Sequence, residues 1–166
     1  VIRNEQYPWG LPKHLLSPAD QQQVQNGNAC FRAAIQIIKW LNALRIPWML
    51  ENPASSKCWL LPQLQKVEAS SCCTVVFTDF CQFGTLWKKR TKFLCGNLDS
   101  QDVARIGRLC QGKGICSRTQ KKHFQLSGSN HQGVPWTRVA QLYPAQLCKQ
   151  LAFALTAPTH YSPTTI

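Results

Sequence analysis

Apolar side chains recur at three- and four-residue spacing through Phe31, Ala34, Ile35, Ile38 and Leu41, which is the pattern of one face of a helix. Ile37, Trp40 and Leu44 widen this stripe, so the pattern predicts a helix most of whose surface meets a core. Its start is marked by Ser17 as a capping hydroxyl, Pro18 at the first helical position and Asp20 near the positive helix end. Leu44 is the expected end, and Gly27 and Asn28 weaken the first half. The run "IPWML" that follows predicts a short buried strand, with Glu51, Asn52 and Pro53 at its polar edge.

Beyond that edge, Trp59 to Ala69 is expected to be a short helix with Pro62 in its first turn. "CTVVFTDF" and "TKFLC" are rich in β-branched and aromatic residues and predict two strands. The intervening "CQFGTLWKKR" is too short for a helical crossover, so the two strands should pair antiparallel. Residues 97–135 show little periodicity apart from a helix near "SQDVARIGRLC". Helical spacing returns with Val139, Leu142, Leu147, Leu151 and Leu155, with Pro144 breaking or starting a turn. The expected organisation is an α/β unit over residues 1–96, a loop-rich basic insert over 97–135, a returning helix over 136–155 and a frayed tail over 156–166.

Composition adds constraints to this outline. With 166 residues, 44% of them hydrophobic, the chain can bury a core. No stretch has the length of apolar sequence that a membrane span needs. Nineteen Lys and Arg against seven Asp and Glu give a formal charge of +12, which suits a polyanion such as nucleic acid, although a basic surface kept soluble by its charge accounts for it equally well. The interleaved Trp87, Lys88, Lys89, Arg90 and Lys92 favour bases and phosphates. Nine cysteines cannot pair completely, which points to a reduced, intracellular protein; Cys30 and Cys81 lie among apolar neighbours and read as small core residues. The first residues, "VIRNEQYPWGLP", form neither a signal nor a transit peptide, and the expectation is of a fragment whose beginning lies elsewhere.

Glu51 at a strand end is either a capping or ion-pairing residue for the next helix or the edge of a ligand site, since ligands of open α/β sheets gather at carboxyl ends of strands. "ENP" after a buried strand, followed in order by "QFGTLWKKRTKFLCG", resembles the cytosine-C5 DNA methyltransferase family. There a Glu-Asn-Val segment ends one sheet strand, and a later Phe/Tyr-Gly-x-Pro-Gln-x-Arg-x-Arg segment leads into another. Glu51 and Asn52 match the first landmark, with Pro53 in place of valine; Phe83 and Gly84 match the start of the second. Leu86 and Trp87 stand for its proline and glutamine, and Lys89 and Thr91 for its two arginines.

The resemblance implies a partial Rossmann-like methyltransferase sheet covering the latter part of a catalytic domain, with an antiparallel strand pair and residues 97–135 in the place of the target-reading segment. It implies that Glu51 hydrogen-bonds N3 of an extruded cytosine while a nucleophile adds to C6, that Asn52 orients the loop or the carboxylate, and that Lys89 or Arg90 contacts the base carbonyl or a phosphate. The partner it implies is DNA, in a nucleus or nucleoid. The family's Pro-Cys nucleophile and its glycine-rich loop for S-adenosylmethionine have no counterpart in this chain, so both are expected before Val1 or on a partner chain, and the isolated chain should not methylate. The rival expectation is a non-catalytic nucleic-acid-binding module on the same scaffold.

In the insert and just before it, Cys95, Cys110, Cys116 and His123 supply three thiols and an imidazole in the spacing C-x14-C-x5-C-x6-H. Such a set suits tetrahedral zinc, which would organise a loop poor in apolar residues. Reduced free cysteines and a surface histidine are the other reading, because the tight CxxC knuckles of specific zinc motifs are missing. His14 and His131 are alternative ligands.

Overall fold

The computed structural model describes residues 1–157 of the chain. The tail expected over residues 156–166 therefore lies almost wholly outside the described residues. Eight elements follow one another: α1 (Pro18–Ala43), β1 (Trp48–Pro53), α2 (Pro62–Glu68), β2 (Cys73–Asp79), β3 (Arg90–Gly96), α3 (Ser100–Ile106), α4 (Trp136–Val139) and α5 (Ala145–Thr156). Short 3-10 turns lie at Lys13–Leu15, Lys57–Leu60 and Phe80–Phe83.

The start of α1 is the expected one: the Ser17 hydroxyl accepts from the Asp20 N–H and Pro18 opens the helix. The width of its buried face is not. Val24, Ile35 and Ile38 are buried, whereas Ile37, Trp40 and Leu44 remain 48%, 59% and 68% exposed. The stripe is therefore narrower than the apolar pattern, because only one layer packs on this helix. Pro62 opens α2, and the preceding residues from Lys57 form the 3-10 turn rather than part of the helix.

The sheet has the order β1-β3-β2, and both pairings are antiparallel. The β2–β3 pair is the antiparallel one expected from the short linker. β1 and β2 consequently run parallel to each other on either side of β3. Glu51, Asn52 and Pro53 do not follow β1 as expected; they are its last residues, opposite Phe93, Lys92 and Thr91. Pro53 is tolerated because β1 is an edge strand in this sheet, where the missing N–H breaks no central ladder.

Alternation along the strands separates two cores. On one face Phe93, Cys95 and Val76 pack with Val103 and Ile106 of α3, Leu147 and Ala154 of α5, and Phe80 and Phe83, with Met49 against them. On the other, Leu94 and Trp48 pack with Ile35 and Ile38 of α1 and with Cys58, Trp59, Leu61 and Leu64, and Leu50 and Val75 join them. The chain is thus an α/β unit in which helices cover both faces of a small antiparallel sheet. At the sheet end Gly96 is required sterically, since a Cβ there would lie 2.1 Å from the Trp48 ring. The Trp48 indole N–H donates to Asn42 Oδ1 at 2.6 Å, fastening the sheet to the end of α1.

The C-terminal part is two helices rather than one. α4 is a single turn, and Pro144 caps the start of α5, where a missing N–H costs nothing.

Candidate metal centre

Strand β2 ends on Asp79, whose N–H donates to the Arg108 carbonyl at 2.9 Å while the Phe80 N–H donates to the Lys89 carbonyl at 3.1 Å. These two bonds pull the Phe80–Phe83 turn between the start of β3 and the segment after α3, placing Cys81 beside Cys110. A tight loop supplies the remaining donors. The Cys116 N–H donates to the Lys121 carbonyl at 2.8 Å, and the His123 N–H to the Gly114 carbonyl at 2.9 Å, with Gln120 in the left-handed region at φ 56°. Gly112 is obligatory in this loop, because a Cβ would lie 1.6 Å from the Ile115 carbonyl oxygen.

Cys81, Cys110, Cys116 and His123 are all buried, and their donor atoms lie within 4.8 Å of one another. This is a buried Cys3His cluster able to hold a metal ion. Cys110 Sγ stands 3.6 Å from His123 Nε2, close to the separation of about 3.5–3.8 Å that tetrahedral bonds of about 2.0 to 2.3 Å impose on two ligands. His123 Nδ1 is buried without a hydrogen-bond partner. A neutral imidazole carries one N–H and one lone pair, so with one nitrogen among thiols and the other unpartnered, the ring suits an electron-pair acceptor.

The thiols differ in acidity. Burial opposes ionisation of Cys110, but hydrogen bonds with the Ser117 backbone and hydroxyl, the Gly112 backbone and the Cys81 thiol together outweigh it and bring the thiol down to about 6. Burial likewise opposes ionisation of Cys116, and bonds from the Thr119 and Arg118 backbone lower it to about 7. Burial pushes Cys81 up to about 12, with the neighbouring Cys110 adding to the rise. Two thiols lowered and one raised form a set whose deprotonation a divalent cation would complete. The backbone around the cluster is held by cations: Lys88 Nζ donates to the carbonyls of Cys110 and Gly112, each at 3.0 Å, and Arg118 Nε to that of Cys81 at 2.9 Å. Gln82 Nε2 reaches Cys81 Sγ at 3.6 Å and Cys116 Sγ at 3.8 Å.

Three of the four expected ligands are therefore brought together, and the fourth is replaced. Cys95 is not part of the cluster: it points from β3 into the core with Phe93 and Val76 and is 1% exposed. Cys81, expected in the core, takes its place, whereas Cys30 is exposed rather than buried. No local spacing signal identifies Cys81, which lies 29 residues before Cys110 and reaches it through the β2–β3 pairing and the backbone bonds at Asp79 and Phe80. His14 lies in the Lys13–Leu15 turn and His131 is exposed; neither joins the cluster.

The four polar candidates from the strand edge separate. Glu51 and Asn52, as adjacent strand residues, point to opposite faces. Glu51 lies beside Tyr143, whose hydroxyl is pushed well above the usual phenol range by burial and by this carboxylate, while Glu51 Oε1 is shielded from solvent without a partner. Tyr143 stacks at a tilt on Phe80 with 5.6 Å between centroids, and the Lys89 ammonium sits 4.7 Å from the Phe80 centroid. Glu51 and Lys89 thus flank one aromatic pair. Arg90 does not face them: its Nε and Nη2 make a two-pronged bond to the fully buried Asp79, at 3.1 and 2.8 Å. Asp79 also accepts from the Cys110 N–H at 2.8 Å, which ties the basic hairpin to a cluster residue. Sequence reasoning missed Asp79 and Tyr143; an acid closing a β-branched strand is the only signal that pointed to the former.

Compared with protein-family models, with curated proteins and with solved structures, the chain has no match.

Proposed function

We propose that the chain is a nucleic-acid-binding module in which a zinc ion at Cys81, Cys110, Cys116 and His123 organises a basic loop. The observation that carries this reading is the convergence of the four donors, on a loop that also bears the exposed cations Lys113, Arg118, Lys121 and Lys122 and no acid between Cys110 and His123. Three sulfurs and one imidazole in a tetrahedral space select zinc over hard cations. Four protein donors leave no open position for substrate, so the metal is structural. The exposed cations suit phosphates, and counterion release makes such binding salt-dependent.

The test is metal analysis of the purified chain beside anisotropy with labelled DNA. One equivalent of zinc is expected in the wild type and in Cys95→Ser, but not in Cys81→Ser. DNA affinity should fall with rising salt and on chelation. Full zinc content in Cys81→Ser, or DNA binding indifferent to chelation, overturns the reading.

A second reading is favoured by Glu51. Its half-buried carboxylate, without an ion pair among the described residues and on the Lys89 side of the sheet, suits a catalytic acid of a cytosine-C5 DNA methyltransferase. On that reading the chain is the latter part of a Rossmann-like enzyme acting in a nucleus or nucleoid. S-adenosylmethionine would supply the methyl group there, from a site formed mostly by residues other than those of this chain. The chain's own contribution is to hold the base edge at Glu51, with Tyr143 fixing the carboxylate.

A further inference from the structure

On the face of the sheet opposite the metal centre, the N-terminal segment folds against α1. Arg3 Nη1 donates to the Pro8 carbonyl at 3.0 Å and to Asn28 Oδ1 at 2.8 Å, and Asn28 Nδ2 donates to the Trp9 carbonyl at 2.8 Å. These bonds hold the Trp9 indole beside α1, with the Arg32 guanidinium 5.3 Å from its ring centroid. Next to this stack opens a groove of about 360 Å³, lined by Trp9, Arg32, Ile35, Gln36, Lys39 and Gln63.

Three properties of the groove bear on its ligand. Its charge is all of one sign: two cations and no carboxylate line it. Its polar groups are free, since the side chains of Gln36, Lys39 and Gln63 make no hydrogen bond or ion pair with another described residue. Its groups are ordered along one helix face. Arg32, Gln36 and Lys39 follow at i, i+4 and i+7, spreading them over about 10 Å of axis. The exposed planar guanidinium backed by an indole is a platform on which a base stacks. The Gln36 carboxamide one turn further on, with Gln63 of α2 in the same groove, matches the donor and acceptor edge of a base, and the Lys39 ammonium beyond it matches a phosphate.

We infer that this groove binds one unpaired nucleotide, its base on Arg32 over Trp9 and its phosphate at Lys39. The inference rests on the nucleic-acid reading above but places the contact on the other layer, remote from the zinc loop. The nucleotide belongs either to a single strand or to a free nucleoside monophosphate, and the two sources separate experimentally.

The test titrates the whole metal-loaded chain with a labelled oligothymidylate, with duplex DNA and with thymidine monophosphate. For the single strand, Arg32→Ala and Lys39→Ala should each weaken binding roughly tenfold. Zinc content and far-ultraviolet circular dichroism should stay unchanged, because both side chains are exposed. Quenching of indole fluorescence on binding should shrink in Trp9→Leu. Equal affinity for the free monophosphate and the strand keeps the site and makes the free nucleotide its ligand. Wild-type strand binding by both Arg32→Ala and Lys39→Ala, with loss in Lys121→Ala/Lys122→Ala, removes the groove and leaves the zinc-loop reading standing. No binding of any nucleic acid by the wild type removes both.

Discussion

Replacing Asp79 with Asn tests whether one buried carboxylate joins the basic hairpin to the metal loop. Its side chain is fully inaccessible, and its oxygens accept Arg90 Nε at 3.1 Å, Arg90 Nη2 at 2.8 Å and the Cys110 N–H at 2.8 Å, with Lys88 Nζ at 3.9 Å. Asn preserves the shape and one oxygen. That oxygen can keep the Nη2 and Cys110 bonds, both made to Oδ2, but the new amide then faces the Arg90 Nε–H donor to donor. Removing one member of a buried pair costs about 3–5 kcal/mol when the other charge stays buried. Arg90 is 47% exposed and Lys88 26%, so water takes over part of their solvation, and the lower end, about 3 kcal/mol, is the expected loss. This corresponds to roughly two powers of ten in the unfolding equilibrium. Urea unfolding of the metal-loaded protein should show it as a lower midpoint at unchanged slope. Because the same carboxylate holds the backbone of Cys110, zinc affinity measured by chelator competition should also fall, by roughly tenfold. A loss under about 1 kcal/mol, or undiminished zinc affinity, would refute the idea that Asp79 couples the two parts.

Two further outcomes are expected. In metal-loaded native protein, iodoacetamide at pH 8 should label Cys30, Cys72 and Cys148, which are exposed, while Cys73, pushed up to about 11 chiefly by burial, and Cys95, pushed up to about 12 by burial, should react only after unfolding; mass mapping that finds Cys95 labelled in the native state would contradict its place in the core. Where the chain is part of an active methyltransferase, Glu51→Gln should lower methyl transfer by a large factor and leave DNA affinity nearly unchanged, and unaltered turnover would remove Glu51 from that mechanism.

Much of the architecture was legible wherever local chemistry decides the outcome. Ser17 and Pro18 place the start of α1, the ten-residue linker after Asp79 forces an antiparallel hairpin, and Pro144 separates α5 from what precedes it. What failed depends on long-range packing. Trp40 and Leu44 look like core residues until the sheet, only three strands wide, leaves their side of α1 uncovered. "ENP" looks like one polar unit, yet strand alternation sends Glu51 towards Tyr143 and Asn52 to the other layer. Cys95 is the nearest thiol preceding Cys110 in sequence, but its position beside Phe93 and Leu94 in the central strand commits it to a core face. Cys81 joins the cluster through two backbone bonds, at Asp79 and Phe80, that no spacing rule encodes.

That wide separation of the ligands has a kinetic side. Cys116 and His123 sit on a self-closing loop, but Cys81 joins them only after the β2–β3 hairpin has formed and α3 has docked behind it. A long closed circuit of chain must give up its freedom before the ion gains its last thiolate. On the proposed zinc reading, tight capture of the ion reports a chain that has already found its tertiary contacts, and a ribosome-bound product ending before residue 123 would have only an incomplete grip on it. Zinc uptake should therefore trail secondary structure when unfolded protein is diluted into buffer, and uptake that leads it would make the ion the nucleus of folding instead.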